Sequence, residues 1–188
     1  EYGQISSQVL MTKYNINQEK SYENLKNTFQ ELLKYGSIPI VNENDAIATD
    51  EIEFGENDTL SAMVAAITKA DLLVLLTDID GLYTDDPFQN EEAKRIDIVT
   101  NCVAKEVRKM AKKSSDSDVG TGGMYTKVLA ANIINPIGID MLISSGKEPN
   151  VLNKIIKGEK HGTLFLANKE TTKDVRNYLV SKMEEVKE

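Results

Sequence analysis

A chain of 188 residues, 40% hydrophobic and 28% charged, has the length and apolar content for one domain with its own core, which excludes a disordered tail or a disulfide-stapled miniature. Its net charge of −8 opposes non-specific attraction to nucleic acid or to an anionic membrane, though a local cluster of donors can still hold a small anion. The single cysteine, Cys102, admits no internal disulfide and suits a reducing, cytoplasmic setting; no apolar run is long enough to span a bilayer and no signal peptide is visible.

The chain opens on Glu1 rather than Met and runs almost at once into a predicted strand at 6–12, "SSQVLMT", which suggests that a beginning is missing. Residues 21–36 set Leu25, Phe29, Leu32 and Leu33 on one helical face, with Gly36 as the stop. A strand "SIPIVNE" follows, with Pro39 tolerable near its start, and "AIATDEIEF" reads as a hairpin arm or two short extended pieces. A helix is expected at 59–70, capped by Asp58. The run "DLLVLLTD" at 71–78 is apolar on both faces, the pattern of a central strand in a parallel sheet covered by helices.

Beyond a turn-rich "DGLYTDDP" come a basic amphipathic helix at 102–113, a flexible loop "SSDSDVGTGG", and a helix at 124–134 that Pro136 ends. The remainder reads as strand "IDMLISSG", helix "NVLNKIIKG", strand "GTLFLA" and a charged helix from about Thr171. Strands alternating with helices give an α/β fold, a three-layer αβα sandwich around a mainly parallel sheet, in one domain over 1–188. Ligands of such sheets bind beyond the carboxyl ends of the strands, so the exits after "IPIV", "DLLVLLT" and "IDMLISS" are expected to face one crevice.

Three segments at or near these exits carry candidate chemistry. The stretch 42–58, "NENDAIATDEIEFGEND", holds Glu43, Asp45, Asp50, Glu51, Glu53, Glu56 and Asp58 and no Lys, Arg or His. Helix capping accounts for Asn57 or Asp58, and a solvated face for the outer glutamates. Asp45, directly after a buried strand, is placed to accept hydrogen bonds from an ammonium group. Thr77 and Asp78 end the most apolar strand, where they either contact a nucleotide or begin an Asx-type turn. In "GTGGMYTK", 120–127, three glycines in four residues let backbone N–H groups approach a phosphate, the following helix points its positive end there, and Lys127 lies one turn in. A flexible connection with Lys127 in solvent explains the same letters, since neither a Walker loop nor "GxGxxG" is present. His161 reads as a surface or turn residue and Cys102 as structural, and the carboxylates lack the spacing of a protein-held metal site.

Together, "PIVNENDAIATDEIEFGENDTLSA", "LLTDIDGLYTDDP" and "GTGGMYTK" resemble the amino acid kinase family, and within it the glutamate 5-kinases, in the same order from about Ser6 through "GTLF" at 162–165. The resemblance implies ATP-dependent phosphorylation of the γ-carboxylate of L-glutamate to glutamyl 5-phosphate, the first step of proline biosynthesis. It also implies Mg²⁺ held mainly through the nucleotide, proline as feedback inhibitor, and a cytoplasmic homo-oligomer. Carried over by position, Asp45 and Asn57 would bind glutamate; Thr77 and Asp78 would contact ATP, as would Thr121, Gly122, Gly123, Met124, Tyr125, Thr126 and Lys127. Asp58 would organise catalytic lysines, and Lys127 would stabilise the transferring phosphoryl group. Tyr125 stands where the family often has serine. The family further begins with a strand and a glycine loop bearing a second lysine, so the resemblance casts this chain as the latter two-thirds of a kinase domain, without a PUA domain and with an exposed sheet edge or core face. A related acid kinase such as acetylglutamate kinase, or a non-catalytic ligand-binding fragment, are the competing readings.

Overall fold

The computed structural model describes residues 3–49, 54, 56–102, 104–113, 123–168 and 174–185. Strand β1 (Ser6–Met11) turns Val9 and Met11 inward and Gln8 and Leu10 outward, the period of two that a half-covered sheet demands. The helix expected at 21–36 forms as α2 (Glu19–Lys34), and a short helix that the sequence reading did not foresee, α1 (Lys13–Asn17), precedes it, with Gln18 extended between them at φ −90° and ψ 115°. The short helix begins where Asn15 Oδ1 accepts the Thr12 N–H at 2.8 Å, a cap read from an asparagine rather than from a glutamate. On α2 the buried residues are Tyr22, Leu25 and Phe29; Leu33, expected on the same face, is 52% exposed. Gly36 ends the helix as expected, at φ +71°, with its N–H on Leu33 and that of Ser37 on Leu32.

Strand β2 (Ile38–Glu43) returns parallel to β1, pairing Ser6 with Ile38 through Met11 with Glu43. Helix α3 (Asn57–Thr68) leads to β3 (Leu72–Thr77), and the chain continues through β4 (Ile98–Val99), α4 (Lys105–Lys113), α5 (Met124–Ile134) and a 3-10 turn at Asn135–Ile137 that holds Pro136. Strand β5 (Asp140–Ser145), α6 (Val151–Ile156), β6 (Thr163–Phe165) and α7 (Val175–Glu185) complete it. The two-residue β4 has no counterpart in the sequence reading; so short a strand carries no period.

The α/β class and the mainly parallel pairing are as expected. Among the described residues the strands form two sheets, β1–β2 and β3–β5–β6–β4, with only β5–β6 antiparallel. Strand β3, apolar enough to be central, therefore stands at the edge of its sheet with Leu72 and Leu76 exposed. Its open edge and that of β2 flank a groove of about 450 Å³, walled by Pro39, Val41, Leu72 and Leu73 and floored by Leu60, Ser61, Val64, Ala65 and Thr68 of α3.

Helices α3 and α5 pack on each other and join the halves. Each is apolar nearly all round, as a buried helix must be, and small residues such as Ala62 and Ala66 on α3 and Ala130 and Ala131 on α5 are buried. Gly162 marks one close approach: at φ +69°, a Cβ there would lie 1.8 Å from the Ile143 carbonyl oxygen, so only glycine fits. No helix among the described residues is long and apolar enough to cross a membrane.

Candidate functional site

The first turns of α3 and α5 meet, and their side chains do the joining. Helix α3 begins two residues earlier than expected, with Glu56 at the cap position and Asp58 inside the first turn. Asp58 is therefore no cap. Its Oδ2 accepts the Thr126 hydroxyl at 2.7 Å and the Lys127 ammonium at 3.2 Å, both from α5. The ion pair is well sheltered, with 12% of the Lys127 side chain and 17% of Asp58 exposed. Two helix N-termini here present their positive ends beside a lysine, an arrangement that favours an incoming anion.

Gly123 supplies the cap of α5, and its carbonyl accepts the Thr126 N–H at 3.1 Å. Met124 is buried in the core, so what it offers a ligand is backbone, and Tyr125 is partly buried against that core. Thr121 and Gly122 lie outside the described residues, as do Asp50, Glu51 and Glu53 of the acidic stretch.

Thr77 and Asp78 sit at the carboxyl end of β3, level with Ser145 of β5, and the Gly146 N–H donates to the Thr77 carbonyl at 2.8 Å. The Thr77 hydroxyl donates to Asp78 Oδ1 at 3.0 Å. That hydrogen bond holds the Asp78 carboxyl below its ordinary value; slight burial opposes it, while the charges of Lys147 and Lys127 add to it. Lys127 thus acts on Asp78 as well as on Asp58, so each of the three expected segments contributes a residue to the surroundings of Lys127. Lys147, which the sequence reading did not single out, acts on Asp78 as well.

The acidic stretch is divided in its roles. Asn57 is exposed on the first turn of α3, next to Asp58. Asp45 is exposed in a turn where the Asn44 carbonyl accepts the N–H groups of Ile47 and Ala48, at 3.1 and 2.9 Å. No hydrogen bond or ion pair among the described residues ties Asp45 to the Asp58–Lys127 cluster. Glu43 is the residue that sequence reasoning missed. It is buried, and its Oε1 accepts the Phe54 N–H at 2.6 Å, pinning the buried Phe54 under the loop. The signal was present: Glu43 shares the inward face of β2 with Val41, two positions earlier.

Away from this junction, His161 lies 3.4 Å from Glu148 and 3.6 Å from Glu159, a turn histidine as expected, and Cys102 is buried. A larger cavity, about 770 Å³, lies at the opposite, amino ends of β3 and β5, lined by Lys26, Lys69, Asp71 and Arg176 among others. Its size does not make it the site; the paired charges and the strand exits are elsewhere.

The profile of the amino acid kinase family matches residues 1–145. A glutamate 5-kinase of Thermoanaerobacter sp. (strain X514) is 49% identical over 169 residues, covering 90% of this chain and 45% of that protein. The glutamate 5-kinase of Clostridium acetobutylicum is 50% identical over 166 residues, covering 88% of this chain and 61% of its own length. The chain thus spans about half to three-fifths of these relatives. In fold, it superposes on a UMP kinase from Bacillus anthracis with TM-score 0.60 at 18% identity, over 89% of this chain and 60% of that one. An isopentenyl phosphate kinase matches with TM-score 0.52 at 18% identity, over 73% and 49%.

Proposed function

The chain belongs to the amino acid kinase family, and from that premise we propose that it carries the phosphoryl-transfer machinery of a glutamate 5-kinase. In this reading ATP phosphorylates the γ-carboxylate of L-glutamate, giving glutamyl 5-phosphate and ADP. The observation that carries it is the sheltered Lys127–Asp58 pair between two helix N-termini, within the field of Asp78 at a strand exit. The relatives named glutamate 5-kinase supply the choice of acid.

The chemistry suits these residues. A carboxylate is already a nucleophile at neutral pH, so no general base is needed. One of its oxygens attacks the γ-phosphorus, the bond to the β–γ bridging oxygen breaks, and that oxygen leaves with ADP. What remains for the protein is alignment and positive charge against the equatorial oxygens. Lys127 and the α5 N-terminus supply the charge. Thr77 and Asp78 hold the nucleotide, with Mg²⁺ arriving as part of MgATP. Asp45 takes the substrate ammonium and Asn57 its polar groups. Proline as feedback inhibitor and a homo-oligomeric assembly belong to the same reading.

The test is direct. Given ATP, Mg²⁺, L-glutamate and hydroxylamine, the full-length natural polypeptide forms γ-glutamyl hydroxamate, whereas N-acetylglutamate yields none. Lys127→Ala lowers kcat by about 10²-fold or more, as loss of a transition-state charge does, with the KM for glutamate little changed. Asp45→Ala raises that KM. Turnover indifferent to Lys127→Ala, or product from N-acetylglutamate alone, ends the assignment.

A further inference from the structure

The cavity of about 770 Å³ at the amino ends of β3 and β5 is walled by α2, the end of α3, the residues leading into β5 and the start of α7. Its volume lies in the range of small-molecule sites. Tyr22 on its wall is only 6% exposed, and the Tyr22 hydroxyl has no hydrogen bond among the described residues. The charges that act on that hydroxyl are those of Glu23, Asp174 and Arg176, all of which line the same cavity, so the phenol points into it. A buried hydroxyl costs free energy until it finds a partner, and here the partner has to come from the cavity.

The lining carries three carboxylates and three cations, so its net charge is zero. Several of these groups are held in place. Glu23 accepts from Lys26 at 3.1 Å, and Asp174 takes the Asn177 N–H at 3.0 Å and its side-chain amide at 2.7 Å. Arg176 donates to the Ile16 and Asn17 carbonyls, neutral acceptors that fix the guanidinium without cancelling its charge. The side chains of Lys69 and Asp71 are exposed and have no hydrogen bond or ion pair among the described residues. Lys69 also closes α3 in the left-handed region, φ +54°, where glycine would sit without cost. Charge is uneven across the wall. Burial pushes the Tyr22 hydroxyl up, Glu23 and Asp174 push it further, and Arg176 opposes them, so the phenol stays neutral in a field that favours a cation. Lys69 is not among the charges acting on it and stands at another part of the wall. A molecule with both signs of charge suits such a lining better than an ion of either sign.

We propose that this cavity binds a small zwitterion of the α-amino-acid class, its ammonium on the Tyr22 oxygen beside Glu23 and Asp174 and its carboxylate on Lys69. The site is separate from the Asp58–Lys127 junction, which lies near the opposite ends of the strands, and it does not rest on the kinase reading. Its walls draw on both halves of the molecule, through α2 and through the approach to β5, so an occupant bridges them.

The test is calorimetric titration of the 188-residue protein, without nucleotide, with each proteinogenic L-amino acid in turn. Acetate and methylammonium chloride serve as the two half-ligands. An Asp45→Ala background removes the glutamate contact proposed above, so that any binding left there belongs elsewhere. At least one amino acid binds in that background, and each half-ligand binds about 10-fold more weakly or worse. Tyr22→Phe, which deletes only the hydroxyl, and Lys69→Gly each weaken the amino acid by about 10-fold or more, as loss of a hydrogen bond to a charged group does. Lys69→Gly relieves a left-handed backbone, so its effect is not one of unfolding, and it decides the matter if the phenylalanine variant does not fold. Binding that is absent for every amino acid, or indifferent to both cavity substitutions, overturns the proposal. So does binding that disappears with Asp45→Ala, which assigns it to the α3–α5 region. Acetate or methylammonium binding as tightly as the amino acid makes this a site for a simple ion and overturns the zwitterion. None of these results depends on turnover, so failure of the kinase reading leaves them standing.

Discussion

Thr163 is fully buried at the start of β6, and its hydroxyl serves two masters: it accepts the Leu82 N–H at 2.8 Å and donates to the Ile96 carbonyl at 2.6 Å. That one oxygen ties two points of the long connection between β3 and β4 to the sheet, beside the Leu164 N–H that donates to the Asp97 carbonyl at 2.9 Å. Thr163→Val keeps the shape and orphans both backbone groups, at about 1–3 kcal/mol each. The melting temperature should fall by roughly 5–15 °C, at about 2–4 °C per kcal/mol for a domain of this size; calorimetry showing no loss would mean that the loop repairs itself. In the same loop, burial pushes the Asp80 carboxyl up, but the Tyr83 hydroxyl and the Arg95 guanidinium, each at 2.8 Å, outweigh it and hold the group below its ordinary value. A depressed carboxyl binds fewer protons in the native state than in the unfolded one. Its contribution is complete above the ordinary value, about 3.9, and is lost as pH falls through the depressed one. Asp80→Asn should therefore lower the melting temperature at pH 7, with the difference closing as pH falls below the ordinary carboxylate range and through the depressed value. Single residues were the hardest part to read from sequence. Asp58 was identified through resemblance and misjudged locally, because a carboxylate before an apolar run looks like a cap until its true partners arrive from 68 and 69 positions away. Glu43 and Thr163 act through burial that no local pattern announces for a polar side chain.

The elements were readable wherever a period lasted. Strands β1, β2, β3 and β5 and helices α3 and α5 fall within a few residues of the expected bounds, because alternation or an all-round apolar surface persists for six residues or more. Failures came where it did not: α1 is five residues of mixed polarity, and β4 is two residues. The placement of β3 is a different kind of difference. Apolarity on both faces reports what a strand can bury, not which neighbours stand beside it. Its edge and that of β2 each run six residues, with Ile40 and Leu72 exposed, and such edges pair with other chains. The chain should self-associate as concentration rises in sedimentation velocity runs. Ile40→Lys with Leu72→Lys should suppress that association while leaving the melting temperature nearly unchanged. Association indifferent to both charges would place the contact on another surface.

Across the whole molecule, the α/β class was legible in the sequence, since alternating elements dictate it. The division into two sheets was not, because no ladder partner is written in a strand's own letters. Among the described strands no backbone bond crosses from β1–β2 to the rest. Helix α3 follows β2 and helix α5 precedes β5, so the junction of Asp58 with Thr126 and Lys127 is a rivet between the two halves. In the proposed reading glutamate rests on the first half and the nucleotide on the second. Occupancy then acts as a clasp as well as a reaction. Bound ligands would then raise the cost of parting two halves that already share one core through residues such as Met11 and Phe29.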